Sequence, residues 1–114
     1  TKVPEMLGDE YTVYQPEDNC RFTKYTLRGM FDWQDGLKDA DVIHWNNGLW
    51  DIPTGLFDDG EPFTSEQEYI ENMLRVAREL KKMGKTIIMI THDLDVAKRA
   101  DRIIKLSDGN VVSV

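Results

Sequence analysis

Two stretches of the chain repeat apolar residues every three or four positions, and several shorter ones gather them in runs. The first helical stretch spans 22–37, where Leu27, Met30, Phe31 and Leu37 share a stripe. Gly29 falls inside it, at a cost of about 1 kcal/mol relative to alanine. The second, over 64–83, is the clearest element of the chain. There Tyr69, Ile70, Met73, Leu74, Ala77 and Leu80 line one face while Glu and Arg fill the other. Its start carries two overlapping capping boxes, Thr64 with Gln67 and Ser65 with Glu68, and Gly84 stands where a left-handed stop belongs.

The runs read as strands. "YTVYQ" (11–15) alternates and is β-prone, and Pro16 ends it. "DVIHW" (41–45) is a short apolar run of the kind buried on both faces of a sheet. "KTIIMIT" (85–91) reads as a central strand, and "DLDVAKRA" (93–100) as a short helix capped by Asp93 or Asp95. "RIIKL" and "NVVSV" form a hairpin turned by Asp108 and Gly109. The alternation of strands and helices predicts one α/β domain over 1–114: a three-layer sandwich with a mainly parallel sheet and a C-terminal β-hairpin. In such a sheet ligands sit beyond the carboxyl ends of the strands. That rule gathers Asn19 and Cys20, then Asn46, Asn47 and Asp51, then Thr91, His92 and Asp93.

Charge and composition narrow the partners. Twenty-one acidic residues against 14 basic ones give a formal charge of −7, which disfavours phosphate backbones and anionic membranes, so neither nucleic acid nor membrane is expected. Cys20 is the sole cysteine and no paired Cys or His motif appears, which points to a reducing, cytoplasmic setting with no metal or cofactor. The longest aliphatic run, Ile87 to Ile90, is far short of a membrane span. The chain opens on Thr1, which suggests processing or trimming upstream.

"QPEDNCRFTKYTLRGMFDW", "ADVIHWNNGLWDI" and "GEPFTSEQEYIENMLRVARELKK" resemble the SGNH, or GDSL-like, hydrolases. The resemblance implies a flavodoxin-like fold and hydrolysis of esters or acyl groups by a serine, a histidine and preorganised oxyanion donors. It places Asn19 as an oxyanion contributor, matches Gly48 and Asp51 to a Gly-x-Asn-Asp block, and puts Trp50 where that block has asparagine, with Asn46 or Asn47 as substitutes. The serine block and the Asp-x-x-His block have no counterpart.

"GKTIIMITHDLDVAKRADRIIKLSDGNVV" resembles the end of an ATP-binding cassette ATPase, whose sheet belongs to the P-loop class. There His92 matches the histidine that contacts the terminal phosphate of ATP. The Gly-rich phosphate loop, with its lysine and magnesium-binding hydroxyl, is absent. The two resemblances together describe a chimera, recombined or engineered, hydrolase-like over 1–83 and cassette-like over 84–114. The expected function is that of a scaffold without catalysis, with a weak ester hydrolase or a nucleotide-responsive module as the alternatives.

Cys20, His92 and Asp93 make a candidate thiolate, base and orienting group; the plainer reading of Cys20 is a small buried side chain. His44 reads as a core histidine, and Asp58, Asp59 and Glu61 as a solvated turn, not a calcium loop. A flavodoxin-like sheet without its first strand leaves strand edges unpaired, and pairing into a homodimer is an expected remedy.

Overall fold

The computed structural model describes residues 2–17, 19–91 and 93–114. Helix α1 (Val3–Leu7) and a 3-10 turn (Gly8–Glu10) begin the chain and bury nothing. Residues 11–16 then run without strand pairing, contrary to the expectation from their alternation. A strand needs a neighbour to take its backbone bonds, and this one has none. The segment is tied down by a side chain instead, since the Tyr14 ring lies against the Cα of Gly36.

The helix expected over 22–37 divides into α2 (Thr23–Asp32) and α3 (Gln34–Asp39) at Trp33, whose ψ of 7° leaves the helical range. Gly29 lies four residues before the break, on the same helix face as Trp33. Its missing side chain leaves room for the Trp33 indole, which folds back directly onto the Gly29 Cα. Leu27, Met30 and Leu37 face the core as the stripe predicts, but Phe31 is exposed, with the Arg28 guanidinium 5.4 Å from its ring centre.

Strands β1 (Val42–Trp45) and β2 (Thr86–Met89) pair in parallel, Val42 opposite Thr86 and Trp45 opposite Met89. Strand alternation sends Ile43, Trp45, Ile87 and Met89 to one face, where they meet helix α4 (Glu66–Lys82). Val42, His44, Thr86 and Ile88 occupy the other face, which is open: Val42 is 53 % and Ile88 52 % exposed. "DVIHW" is thus buried on one face, not two, and His44 is an exposed residue, not a core histidine. Among the described residues one helical layer covers the sheet, so the arrangement seen has two layers where the alternation predicts three.

Helix α4 carries the core. Met73, Val76 and Leu80 are buried on its inner stripe, joined by Trp45 and by Val96 of helix α5 (Leu94–Ala97). Each such side chain contributes about 1.5–3 kcal/mol by leaving water. Of the two capping boxes the second is used: Ser65 Oγ accepts from the Glu68 N–H at 3.2 Å. Gly84, with φ 75°, ends the helix, and the Gly84 and Lys85 N–H groups return to the Lys81 and Leu80 carbonyls in a Schellman closure. The Lys85 ammonium crosses to the Lys38 carbonyl (2.6 Å) and the Ala40 carbonyl, closing the end of α3.

Strands β3 (Lys105–Ser107) and β4 (Asn110–Ser113) form the predicted hairpin. Asp108 (φ 50°) and Gly109 (φ 79°) supply the two left-handed residues of its tight turn. The hairpin is a sheet of its own, separate from β1 and β2, and every residue from 101 to 114 is exposed.

Candidate functional site

The residues expected beyond the strand ends do converge, and they converge on one another. β1 leads into Asn47, whose side-chain oxygen accepts from the Thr26 hydroxyl (2.9 Å) and the Trp45 indole N–H. Its amide nitrogen donates to the Arg21 carbonyl at 3.0 Å. Four residues on, Asp51 is 1 % exposed, and both its carboxylate oxygens accept from the Thr23 N–H at 3.1 Å while Oδ1 accepts the Thr23 hydroxyl at 2.8 Å. Asn72 of α4 completes the set by donating to Thr23 Oγ1 at 3.1 Å.

The physical need for this cluster is at the start of α2. The first N–H groups of a helix have no partner within it, and Phe22, at the cap position, makes no side-chain cap. Asp51 supplies the acceptor from 28 residues away, with its negative charge at the positive end of the helix. Its own loop is fixed in turn: the Asp51 N–H donates to the Gly48 carbonyl, and the Thr64 N–H to the Asp51 carbonyl. Gly48 and Asp51, matched by resemblance to a catalytic block, here form a turn and a helix cap.

Asn19 is exposed and its Oδ1 accepts from the Arg21 N–H at 2.8 Å, so it shapes a turn. Asn46 is exposed. Cys20 is half-buried, and its carbonyl accepts from the Thr26 hydroxyl at 2.8 Å. Asp93 caps α5, accepting from the Asp95 and Val96 N–H groups at 2.8 and 3.1 Å. His92 lies outside the described residues, so the grouping of Cys20, His92 and Asp93 lies partly outside them too.

Tyr69 joins the two strand ends. Its hydroxyl donates to the Asn47 carbonyl at 2.9 Å. Burial holds its pKa above the ordinary tyrosine value, the Asp51 and Asp93 charges push the same way, and a hydrogen bond with the Thr91 side chain pulls against them. Sequence reading missed Thr23, Thr26, Tyr69 and Asn72 as members of this cluster. The signal for Asn72 was present: an amide within the stripe that buries Met73 and Val76 needs polar partners.

Among the described residues every buried side-chain nitrogen or oxygen has a hydrogen-bond partner, and no group of three metal-binding side chains occurs. No described helix is long and apolar enough to cross a membrane. Two surface grooves, of about 390 and 610 Å³, lie along α4, one against α2 and α3 and one reaching Arg99. Neither is lined by Cys20, Asn47, Asp51 or Asp93.

A 77-residue stretch is 46 % identical to the macrolide export ATP-binding/permease protein MacB of Bartonella henselae, and 48 % identical to that of Bradyrhizobium diazoefficiens. The chain carries an ABC-transporter-like segment. That segment covers 68 % of this chain and 10 % of each relative, so the chain spans about a tenth of the length of the curated relatives it matches. A 77-residue match in 114 residues includes 38–77 wherever it begins, so the ABC-like segment starts well before residue 84 and takes in Asn47, Gly48 and Asp51. The hydrolase resemblance of the front part has no support among these relatives. No protein-family profile matches the chain, and no solved structure matches it.

Proposed function

We propose that this chain is an ABC-like structural segment, a piece of α/β frame that does not itself carry out hydrolysis. The observation that carries the reading is the closed cluster at the strand ends. Asn47 and Asp51, the polar residues nearest to where chemistry is expected, spend their hydrogen bonds on Thr23, Thr26, Trp45 and the Arg21 carbonyl. A carboxylate committed to capping a helix is not placed to act on a substrate, and no phosphate-binding loop is present in the sequence. The hydrolase reading needs a nucleophile and a base, and its best remaining nucleophile is Cys20. Assays with an activated ester and with magnesium ATP test both activities: rates at the buffer background are expected, and turnover lost in Cys20→Ala overturns the proposal in favour of a hydrolase.

A second reading, a nucleotide-responsive module, is favoured by the ATP-binding relatives and by the place of Thr91 and Asp93 at the end of β2 beside Tyr69. Calorimetry with magnesium ATP at millimolar concentration separates the two. The structural reading expects no saturable heat, and a saturable isotherm establishes the nucleotide-responsive one.

A further inference from the structure

A hydroxyl has one proton to give, and at Tyr69 that fixes the direction of two bonds. The Tyr69 hydroxyl donates to the Asn47 carbonyl at 2.9 Å, and a carbonyl cannot donate in return, so the proton is spent there. In its hydrogen bond with the Thr91 side chain, Thr91 is therefore the donor. Thr91 Oγ1 in turn accepts from the Asp93 N–H at 3.0 Å. Asn47 carries the line onward, because its side chain accepts from the Thr26 hydroxyl and the Trp45 indole N–H and donates to the Arg21 carbonyl. We infer that Tyr69 is a positioning residue that couples the turn after β2 to the loop after β1, through a line of hydrogen bonds running from Asp93 through Thr91 and Tyr69 to Asn47.

Three features carry the inference. The line admits a single ordering of its protons, and in half-buried surroundings neighbouring bonds polarise one another, so a link broken anywhere leaves a group unpaired. The β1–β2 ladder closes with a long bond, 3.4 Å from the Ile90 N–H to the Trp45 carbonyl, and Tyr69 of the well-packed helix α4 joins Asn47 to Thr91 just past it. Helix α5 has four residues, too few to hold a place of its own, and it depends on the Asp93 cap and on Val96 in the core. A shift of Thr91 therefore moves the cap of α5 at one end of the line and Asn47, with its contacts to Thr26, Trp45 and Arg21, at the other. Both turns stand at the carboxyl ends of parallel strands, where ligands of such sheets bind, so an event at one turn is felt at the other.

Trp45 supplies the readout, since its indole N–H is bonded to Asn47, and the Trp33 indole, resting on Gly29, is the control. Thr91→Val replaces the hydroxyl by a methyl group. In proton–nitrogen spectra of the full chain, this variant is expected to shift the Trp45 indole N–H resonance while that of Trp33 stays, and Thr91→Ser is expected to keep the wild-type position. In a Tyr69→Phe background, Thr91→Val is expected to leave the Trp45 resonance where that background puts it. A Trp45 resonance indifferent to Thr91→Val, one that moves equally in the two backgrounds, or a serine variant that behaves like the valine one overturns the inference. Should Thr91→Val alter the circular-dichroism melt, the line is read from its other end: Thr26→Val is expected to shift the Asp93 and Asp95 amides only where Tyr69 is present, and amides that stay in place overturn the inference equally.

Discussion

Met73 and Leu106 are large apolar side chains of one chain, and one is 1 % exposed while the other is 67 % exposed. The body around Met73 is built by agreement between levels: helical spacing, a cap at Ser65, a stop at Gly84 and two strands that meet the same stripe. The hairpin around Leu106 is built by turn chemistry alone. Asp108 and Gly109 fix its shape while residues 101–114 all stay exposed, because two left-handed residues and a short ladder suffice for a tight turn. Local conformation and burial are separate outcomes, and a sequence states the first more plainly than the second.

The comparison breaks first at the core. Met73→Ala removes a buried side chain from the centre of α4 and is expected to lower stability by about 2–5 kcal/mol, read by chemical denaturation. An effect below about 1 kcal/mol means that this side chain is not at the packing centre. Asp51→Ala strands the Thr23 N–H and hydroxyl inside the body, and a loss of about 1–3 kcal/mol is expected in the same experiment.

How much of this was legible beforehand divides along the same line. α4, its cap, its stop, both parallel strands and the hairpin turn could be read from spacing and turn residues, because each is decided within a few positions. The pairing of Asp51 with Thr23 could not, since it joins residues 28 apart and nothing near either one announces the other. The 11–15 segment failed for the converse reason: its alternation is a strand pattern, and only a neighbouring strand makes it a strand. The role of Gly29 lay hidden too, since it reads as a weak point in a helix until the Trp33 indole is seen resting on it.

Smaller effects sharpen the contrast. Gly29→Ala gains helix propensity but forces the Trp33 indole to move, and a net loss of about 1 kcal/mol is expected by thermal melting. Stabilisation by this variant shows that the indole yields without strain. Tyr69→Phe deletes the hydroxyl that meets the Asn47 carbonyl and the Thr91 side chain and is expected to lower stability at neutral pH by about 1 kcal/mol. It also changes the alkaline limb. Because the folded chain holds the Tyr69 proton more tightly, its contribution is complete below the unfolded value of about 10 and is lost as pH rises through the folded one, so the phenylalanine variant loses less stability there. In the hairpin, Gly109→Val strains a left-handed residue, yet global stability is expected to move by less than about 0.5 kcal/mol, with amide chemical shifts changing only near 105–113.

On the proposed structural reading, the polar cluster at the strand ends holds the fold and performs no reaction. Denaturation of wild type and Asp51→Ala, with ester and ATP turnover followed on the same samples, tests it directly. The expected result is a variant weakened by about 1–3 kcal/mol and no turnover above buffer in either protein. Turnover in the wild type that disappears in an Asp51→Ala protein of unchanged stability contradicts it.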